Sequence, residues 1–564
     1  MAQLPQRPEF DVCIVGSGAG GGMAAYVLTK AGANVVLLEA GPEWYSTRDS
    51  KMLVPAYASP RRGAGSREKP FGEFDGCIGG WDIEGEPYTT APGTRFDWWR
   101  ARMLGGRTNH WGRISLRFGP NDFRGKTIDG LGDDWPIGYD DIKPYYDQVD
   151  RLVGIFGSNE GLYNNPDGIF QPAPRPRCYE LMIKQACDNL KITCIPGRLS
   201  ILTRPLNGRM ACHYCGQCGR GCQTNSNFSS PGVLIKPALD TGKLTLVTGA
   251  MAREVTLDKN GIATGVSYLR KSDGSEQHVR ARVVVLAASA FESARIMLNS
   301  KSSLFPHGLA NSSGILGKYI TDTTGAGLNG FIPKMVSRVP HNEDGSGGNH
   351  IYMPWTADNK KLDFPRGYHI EVGGGFDPPS YGFMGGIQRY PGAGGYGKSL
   401  KDDYRRYFGA SVGFAGRGEM IPNDDCYCEL DPTVVDKFGI PVLRFHWKWS
   451  DHEYNQAKHM QETFRSIVHE MGGEVFAPMP TKEDGYGLAS GGSIIHELGA
   501  TRMGNDPSKS VLNKNCQAHD VKNLFVADGG PFVSQADKNP TWTILALAWR
   551  TSEYIAQQRK ERAL

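Results

Sequence analysis

The chemistry legible in this chain centres on two residues near its C-terminal end. His496 opens HELGATRMG, and Asn539 lies inside ADGGPFVSQADKNPTWT, 43 residues later. An imidazole titrates near neutrality and can take a proton at working pH. An amide cannot hold a full proton, but it can orient an oxygen. Asn539 stands directly before Pro540, where a helix is predicted over 540–559, and Pro540 in its first turn loses no needed hydrogen bond. The positive end of that helix, roughly half an elementary charge, would stabilise negative charge on a facing cofactor. A base, its amide partner and a helix terminus are the equipment for taking hydride from an alcohol. His496 could instead be a satisfied structural histidine, but the RMG that follows it, the spacing to Asn539 and the NPT motif weigh against that. His459, His469 and His519 have no such context and read as structural.

A cofactor is announced at the other end of the chain. Residues 10–41 read as strand, glycine turn, helix and strand, with Gly16, Gly18 and Gly21 spelling G-x-G-x-x-G. Glu39 closes the second strand 23 residues after Gly16. Such glycines let a pyrophosphate approach the helix N-terminus, and the acid accepts hydrogen bonds from a ribose 2′-OH. NAD and FAD both present these groups, so the motif alone does not choose between them.

Cys212, Cys215, Cys218 and Cys222 form C-x2-C-x2-C-x3-C, the spacing of bacterial ferredoxins. Gln223 follows where ferredoxins have proline. Three thiolates would hold a [3Fe–4S] cluster; a [4Fe–4S] cluster needs Cys222 or a distant cysteine as the fourth ligand. Zinc sites usually pair two C-x2-C knuckles farther apart. Cys426 and Cys428 could be a thiol pair or ligands.

Composition sets the frame. At 564 residues the chain exceeds the size at which single cores stop growing, so two domains are expected. Lys and Arg (63) nearly balance Asp and Glu (59) with no dense basic tract, which argues against nucleic acid. No run approaches a membrane span, and the N-terminus does not read as a signal peptide. Twelve cysteines are too few for a disulfide scaffold in a chain this long. Further strands are predicted at 244–247, 262–269, 282–287 and 441–449. Helices are predicted from about residue 140 and over 290–298 and 451–471. Aromatic and polar residues of the middle region (Tyr352, Trp355, Tyr368, His369, Trp447, Trp449) would suit a carbohydrate, though such residues are more often ordinary core.

Four segments in register extend the reading: the glycine turn running into EAG (39–41), LGGRTNHWG (104–112), VVVLAASAFESARIML (283–298) and the tail. Together they resemble the glucose–methanol–choline (GMC) oxidoreductases over nearly the whole chain, with most likeness to the branch of gluconate dehydrogenase flavoprotein subunits, glucoside 3-dehydrogenases and pyranose oxidases. The resemblance implies an α/β fold, α+β overall. A Rossmann-like FAD-binding domain (1–130, 200–325 and 490–564) would be interrupted by a substrate domain on an antiparallel sheet (131–199 and 326–489). It implies FAD, with Gly16, Gly18, Gly21 and Glu39 on its ADP half. Gly105, Gly106 and Asn109 would lie along the pyrophosphate and isoalloxazine, Asp528 and Gly529 beside the ribityl–phosphate chain, and Pro540 and Thr541 at the flavin-facing helix start. His496 would receive the hydroxyl proton, with Asn539 where many members have a second histidine.

His110 matches a position where some sugar oxidases link flavin covalently, but non-covalent FAD is expected here. Related sugar dehydrogenase subunits carry an iron–sulfur centre in the cysteine region, whereas many GMC proteins have a similar segment without iron. The expected activity is oxidation of a secondary hydroxyl of a sugar, with C3 of a glucoside as first choice. The alternatives are gluconate oxidation at C2 and an oxygen-using sugar oxidase without a cluster. A small subunit bearing the export signal, a cytochrome c or quinone acceptor and a periplasmic location follow by analogy, with a cytoplasmic enzyme as the alternative.

Overall fold

The computed structural model describes residues 10–66, 69, 71–73, 75–339, 346–355, 362–376 and 387–563. Residues 1–9, where no export signal is expected, lie outside the described residues. FDVCIV forms the strand Phe10–Val15, flanked in parallel by Val35–Glu39 on one side and Glu276–Leu286 on the other. Leu244–Thr248 extends the sheet beyond Val35–Glu39, and Leu524–Val526 pairs beyond residue 284 on the far side. These strands are almost unbroken apolar runs, as a parallel sheet covered on both faces requires.

The strand expected at 282–287 begins earlier, at Glu276, because it serves two sheets. Its first half pairs antiparallel with Ala263–Arg270, and its second half joins the parallel sheet. The strand expected to reach residue 449 ends at His446, where its pairing with Tyr427 runs out. The expected helices form at Tyr139–Val153, Ala290–Asn299, Asp451–Glu470 and Thr541–Lys560.

Close packing around the first helix, Ala19–Lys30, depends on two glycines. A Cβ on Gly20 would stand 1.6 Å from the Ala527 carbonyl oxygen, and one on Gly21 1.9 Å from that of Gly16. The helix therefore lies directly against the turn before it and the end of Leu524–Val526. Against its other side packs the C-terminal helix Thr541–Lys560, which in turn packs on Tyr139–Val153. Tyr146 and Thr543 share a hydroxyl hydrogen bond at 2.7 Å, and Trp542 Nε1 donates to Asp150 Oδ1 at 2.8 Å. The helix Tyr139–Val153 thus shares its core with the nucleotide-binding sheet, although the sequence division groups 131–199 with the substrate domain.

A second sheet, antiparallel and six-stranded, runs Glu474–Val475, Thr324–Phe331, Ser411–Gly418, Tyr368–Gly374, Ile351–Trp355, Ile195–Pro196. Asp451–Glu470 packs on one face and brings Met460, Phe464 and Ile467 against Tyr368, Ile370 and Phe414. A capping box starts that helix: Ser450 Oγ accepts from His452 N, and Glu453 Oε2 accepts from Ser450 N at 2.7 Å. The opposite face of the sheet turns toward the segment before the C-terminal helix.

That segment is pinned by a buried ion triad. Lys538 Nζ lies 2.9 Å from Asp122 Oδ2 and 2.5 Å from Asp537 Oδ1, and its side chain is fully buried. The two carboxylates hold the ammonium above its ordinary pKa in spite of burial. Removing one partner of a buried ionic group leaves uncompensated charge. Lys538→Met is expected to cost about 3–5 kcal/mol of stability, measured as a lower urea midpoint with an unchanged slope.

Candidate active site

A cavity of about 710 Å³ extends from the glycine turn to His496. Gly16, Gly18 and Glu39 line one end, Gly106, His110, Asp528 and Gly529 the middle, and His496, Asn539, Pro540 and Thr541 the far wall. Gly18 starts the first helix with no side-chain cap and no acid in its first turn, and a Cβ there would meet nothing within 4 Å. The first amides of a helix are then open to a phosphate, which is the cradle a dinucleotide needs. Glu39 accepts from Ser17 Oγ at 2.5 Å and from Gly41 N at 2.7 Å. Burial pushes its carboxyl up against these donors. A carboxylate has lone pairs beyond those two bonds, which ribose hydroxyls can use. Asp528 is held in the same way, by Ser293 Oγ at 2.6 Å and Gly530 N at 2.8 Å, and burial pushes it up to about 6. The residues present fit FAD.

Three residues expected along the cofactor stand behind the wall. Gly21 serves helix packing. Gly105, in left-handed backbone at φ 87°, donates its N–H to Ser17 Oγ at 2.8 Å. Asn109 is buried, and its Nδ2 donates to the Leu104 carbonyl at 2.8 Å, so it braces the LGGRTN loop.

At the far wall His496 and Asn539 meet: Nε2 and Nδ2 are 3.3 Å apart. The loop carrying His496 is strained, since Ile495, a β-branched residue, has φ 67°. Asp322 holds it by accepting from the amides on either side, Ile494 N at 3.2 Å and His496 N at 2.9 Å. Burial, and then the Glu497 charge, pushes Asp322 up to about 7.

The hydrogen-bond network fixes the proton on the ring. Asn539 Nδ2 donates to Glu371 Oε1 at 3.1 Å, and an ionised carboxylate only accepts, so the amide must turn its NH₂ that way. The second N–H then faces His496 Nε2, which must offer a lone pair. The ring proton sits on Nδ1 and is donated to Thr323 Oγ1 at 2.9 Å, which also accepts from Gln535 Nε2 at 2.7 Å. Burial, and then the Arg417 charge, pushes the imidazole down to about 3, so it is neutral across physiological pH.

Sequence reasoning missed the support beneath this pair. Strand alternation puts His369 and Glu371 on the face opposite the Tyr368, Ile370 and Val372 core, and Arg417 pairs directly across from His369. Arg417 lies 3.4 Å from Glu371 Oε2. His369 reaches Glu371 Oε1 at 3.3 Å through Nε2 and the Asp537 carbonyl through Nδ1. The alternation of polar and apolar residues in YHIEV was the available signal, but the same pattern marks a solvent-facing strand. Arg107, paired with Glu497 on the cavity wall, was also missed.

The cysteine loop borders the cavity through Gly216 and Gly219. Tyr214 N donates to Cys212 Sγ at 3.4 Å, and Cys222 Sγ lies 3.4 Å from Thr224 Oγ1. Among the described residues, its thiols do not converge at the spacing of a single bound ion. Asp75, Cys77 and His110 do bring three ligand atoms within 4.8 Å of one another. Burial, and then Arg113, Arg107 and Lys69, pushes His110 down to about 3, and the same positive field opposes a cation there. Trp99 Nε1 donates to His110 Nε2 at 3.3 Å. Cys426 and Cys428 are core residues whose thiols burial pushes up to about 12. His459 bonds Tyr368 and His519 bonds Ser510, both away from the cavity.

The chain is similar to known proteins along nearly its whole length. The chain matches GMC oxidoreductase over residues 83–304 and 422–548, and an FAD binding domain over 11–50. It is 30% identical to 2-methyl-1,2-propanediol dehydrogenase of Mycolicibacterium austroafricanum over 98% of this chain and 96% of that protein. It is 24% identical to the fructose dehydrogenase large subunit of Gluconobacter japonicus, over 98% of each. The structure of pyridoxine 4-oxidase from Mesorbium loti superposes with a TM-score of 0.65 at 18% identity, covering 98% of this chain and 99% of that one.

The neutral state of His496 has a stability consequence. Its pKa is about 3 folded against an ordinary 6.5, so below 6.5 the unfolded chain binds the extra proton. The stability that comes from burying it neutral is complete above 6.5 and is lost as pH falls toward 3. In urea unfolding, the stability of the protein relative to His496→Gln is expected to decline as pH falls from 6.5, with a slope approaching about 1.4 kcal/mol per pH unit.

Proposed function

From the premise that the chain belongs to the GMC oxidoreductase family and is an FAD-dependent enzyme acting on alcohol or sugar CH–OH groups, we propose that it is a dehydrogenase for a secondary hydroxyl of a sugar or glycoside. The observation that carries this reading is the His496 Nε2 lone pair, held neutral and oriented on the cavity wall beside Asn539. FAD, when bound, supplies the hydride acceptor.

His496 takes the hydroxyl proton at Nε2, where the ring offers a lone pair, and the Glu371 charge raises its basicity against the effect of burial. Thr323 keeps the other nitrogen donating. The C-terminal helix begins at the cavity with no side-chain cap and no acid in its first turn, so its positive end is free to stabilise negative charge that builds up there. Ser17, Glu39 and the open helix amides hold the ADP half. Non-covalent attachment fits a His110 whose Nε2 already accepts the Trp99 N–H.

A polar substrate is supported by the polar side chains on the cavity wall, Arg107, His496, Glu497 and Asn539. The relatives named for a diol and for fructose point the same way. C3 of a glucoside, giving a 3-keto sugar, is the first choice by family analogy, and C2 of gluconate the second. His496→Ala is expected to retain FAD yet slow substrate-driven bleaching of the flavin by about 10²–10⁴ under anaerobic conditions. Unchanged bleaching would overturn the assignment of the base.

For the electrons, the reading is an iron–sulfur cluster on Cys212, Cys215, Cys218 and Cys222, passing them singly to a cytochrome c or quinone. Its support is the ferredoxin-like spacing, the N–H and O–H groups near Cys212 and Cys222 sulfurs, and the loop's place on the cavity wall. A small partner subunit carrying the export signal, and with it a periplasmic location, belongs to the same reading. Purified protein should contain about three or four irons, with matching labile sulfide, per FAD. It should also consume little oxygen during turnover. Iron-free protein that makes peroxide would favour the sugar-oxidase alternative.

A further inference from the structure

Glu371, Arg417 and His369 lie beneath the His496–Asn539 pair, off the cavity wall. We propose that Glu371 is a positioning residue: acting through the Asn539 amide, it holds His496 in the tautomer that can accept the hydroxyl proton, and it counterbalances the positive charge the ring then acquires. This rests on the reading of His496 as the base.

Asn539 has two nearly isosteric ends, and nothing in its own chemistry decides which end faces His496. Glu371 decides it. The carboxylate lies 3.1 Å from Asn539 Nδ2 and can only accept, so the NH₂ end is drawn to it and the remaining N–H is presented to His496 Nε2. With the amide reversed, Oδ1 would face Nε2 and favour a proton there. A ring carrying that proton has no lone pair for the substrate's.

Glu371 must remain ionised for this to work, and its surroundings ensure it. Burial disfavours the charge, but Arg417, His369 and the Asn539 N–H outweigh it and hold the carboxyl well below the usual range. The register of the sheet supplies these partners. His369 and Glu371 are two residues apart on one strand face, Arg417 stands opposite His369, and the small Ala415 stands opposite Glu371. When the substrate O–H bond breaks, its proton passes to His496 Nε2. The ring becomes an imidazolium whose charge the nearby carboxylate favours, as the carboxylate of a Ser-His-Asp triad favours its own. The C–H electron pair leaves as hydride to FAD, as in the reaction already proposed.

The test uses the holoprotein labelled with 15N-histidine, with His496→Gln identifying the His496 signals. In the unmutated protein, Nδ1 should be protonated and Nε2 bare. A proton found on Nε2 overturns the proposal whatever the variants do. In Glu371→Gln the proton should move to Nε2. Anaerobic flavin reduction should slow by about 10²–10⁴ with FAD still bound, the range that a positioned general base contributes. Glu371→Asp should restore the original tautomer and recover at least about tenfold of that loss. Wild-type rates in Glu371→Gln, or a loss of rate with the tautomer unchanged, sink the idea. If His496→Ala itself still reduces flavin, the assignment of the base has failed instead.

Discussion

The turn Asp537–Lys538–Asn539 is held by an ammonium with no access to water, and three parts of the protein meet there. Lys538 draws together Asp537 beside it and Asp122 from the short helical turn Pro120–Phe123. The Asp537 carbonyl accepts from His369 on the antiparallel sheet, and Asn539 leads straight into the C-terminal helix. A buried charge of this kind is costly unless both partners stay in place. The ion triad therefore helps to set the geometry of the turn. Asn539 inherits that rigidity, and its amide can be oriented by a carboxylate from another sheet.

The cavity keeps two histidines neutral by burial and surrounds them with charges satisfied elsewhere. His110 and His496 are both pushed far below their ordinary pKa, while Asp322, Asp528 and Glu39 are raised but engaged by amides and hydroxyls. Low dielectric strengthens each of these hydrogen bonds and makes each unpaired group expensive. It also fixes the direction in which protons can move. A neutral imidazole is prepared to receive one, and the strained Ile495 backbone holds that imidazole at the wall only because Asp322 clamps the amides on either side. The cost of the strain is offset by two hydrogen bonds to a buried carboxylate.

Much of this was legible in the residues alone. The glycine turn and Glu39, separated by one helix, report a local strand–helix–strand unit, and local units write their pattern into consecutive residues. The apolar runs of the parallel sheet and the long helices appear within a few residues of their predicted ends. His496 and Asn539 stood out because both lie in short motifs near the C-terminus. Asn109 was expected along the cofactor but stands behind the cavity wall, because a motif gives residue order, not the direction in which a side chain turns inside a tight loop.

The sequence by itself determined the nucleotide-binding half, the family and the pair of polar residues at the start of the last helix, because each is encoded by neighbours along the chain. Only the tertiary structure decided which end of Asn539 faces His496. That choice depends on Glu371 and Arg417, which belong to different strands and meet the C-terminal turn through sheet register. In the sequence, His369 and Glu371 are simply the polar positions of an alternating strand, which physics allows to face water. It is the packing of that face against Asp537–Asn539 that removes the water and makes their charges act on His496.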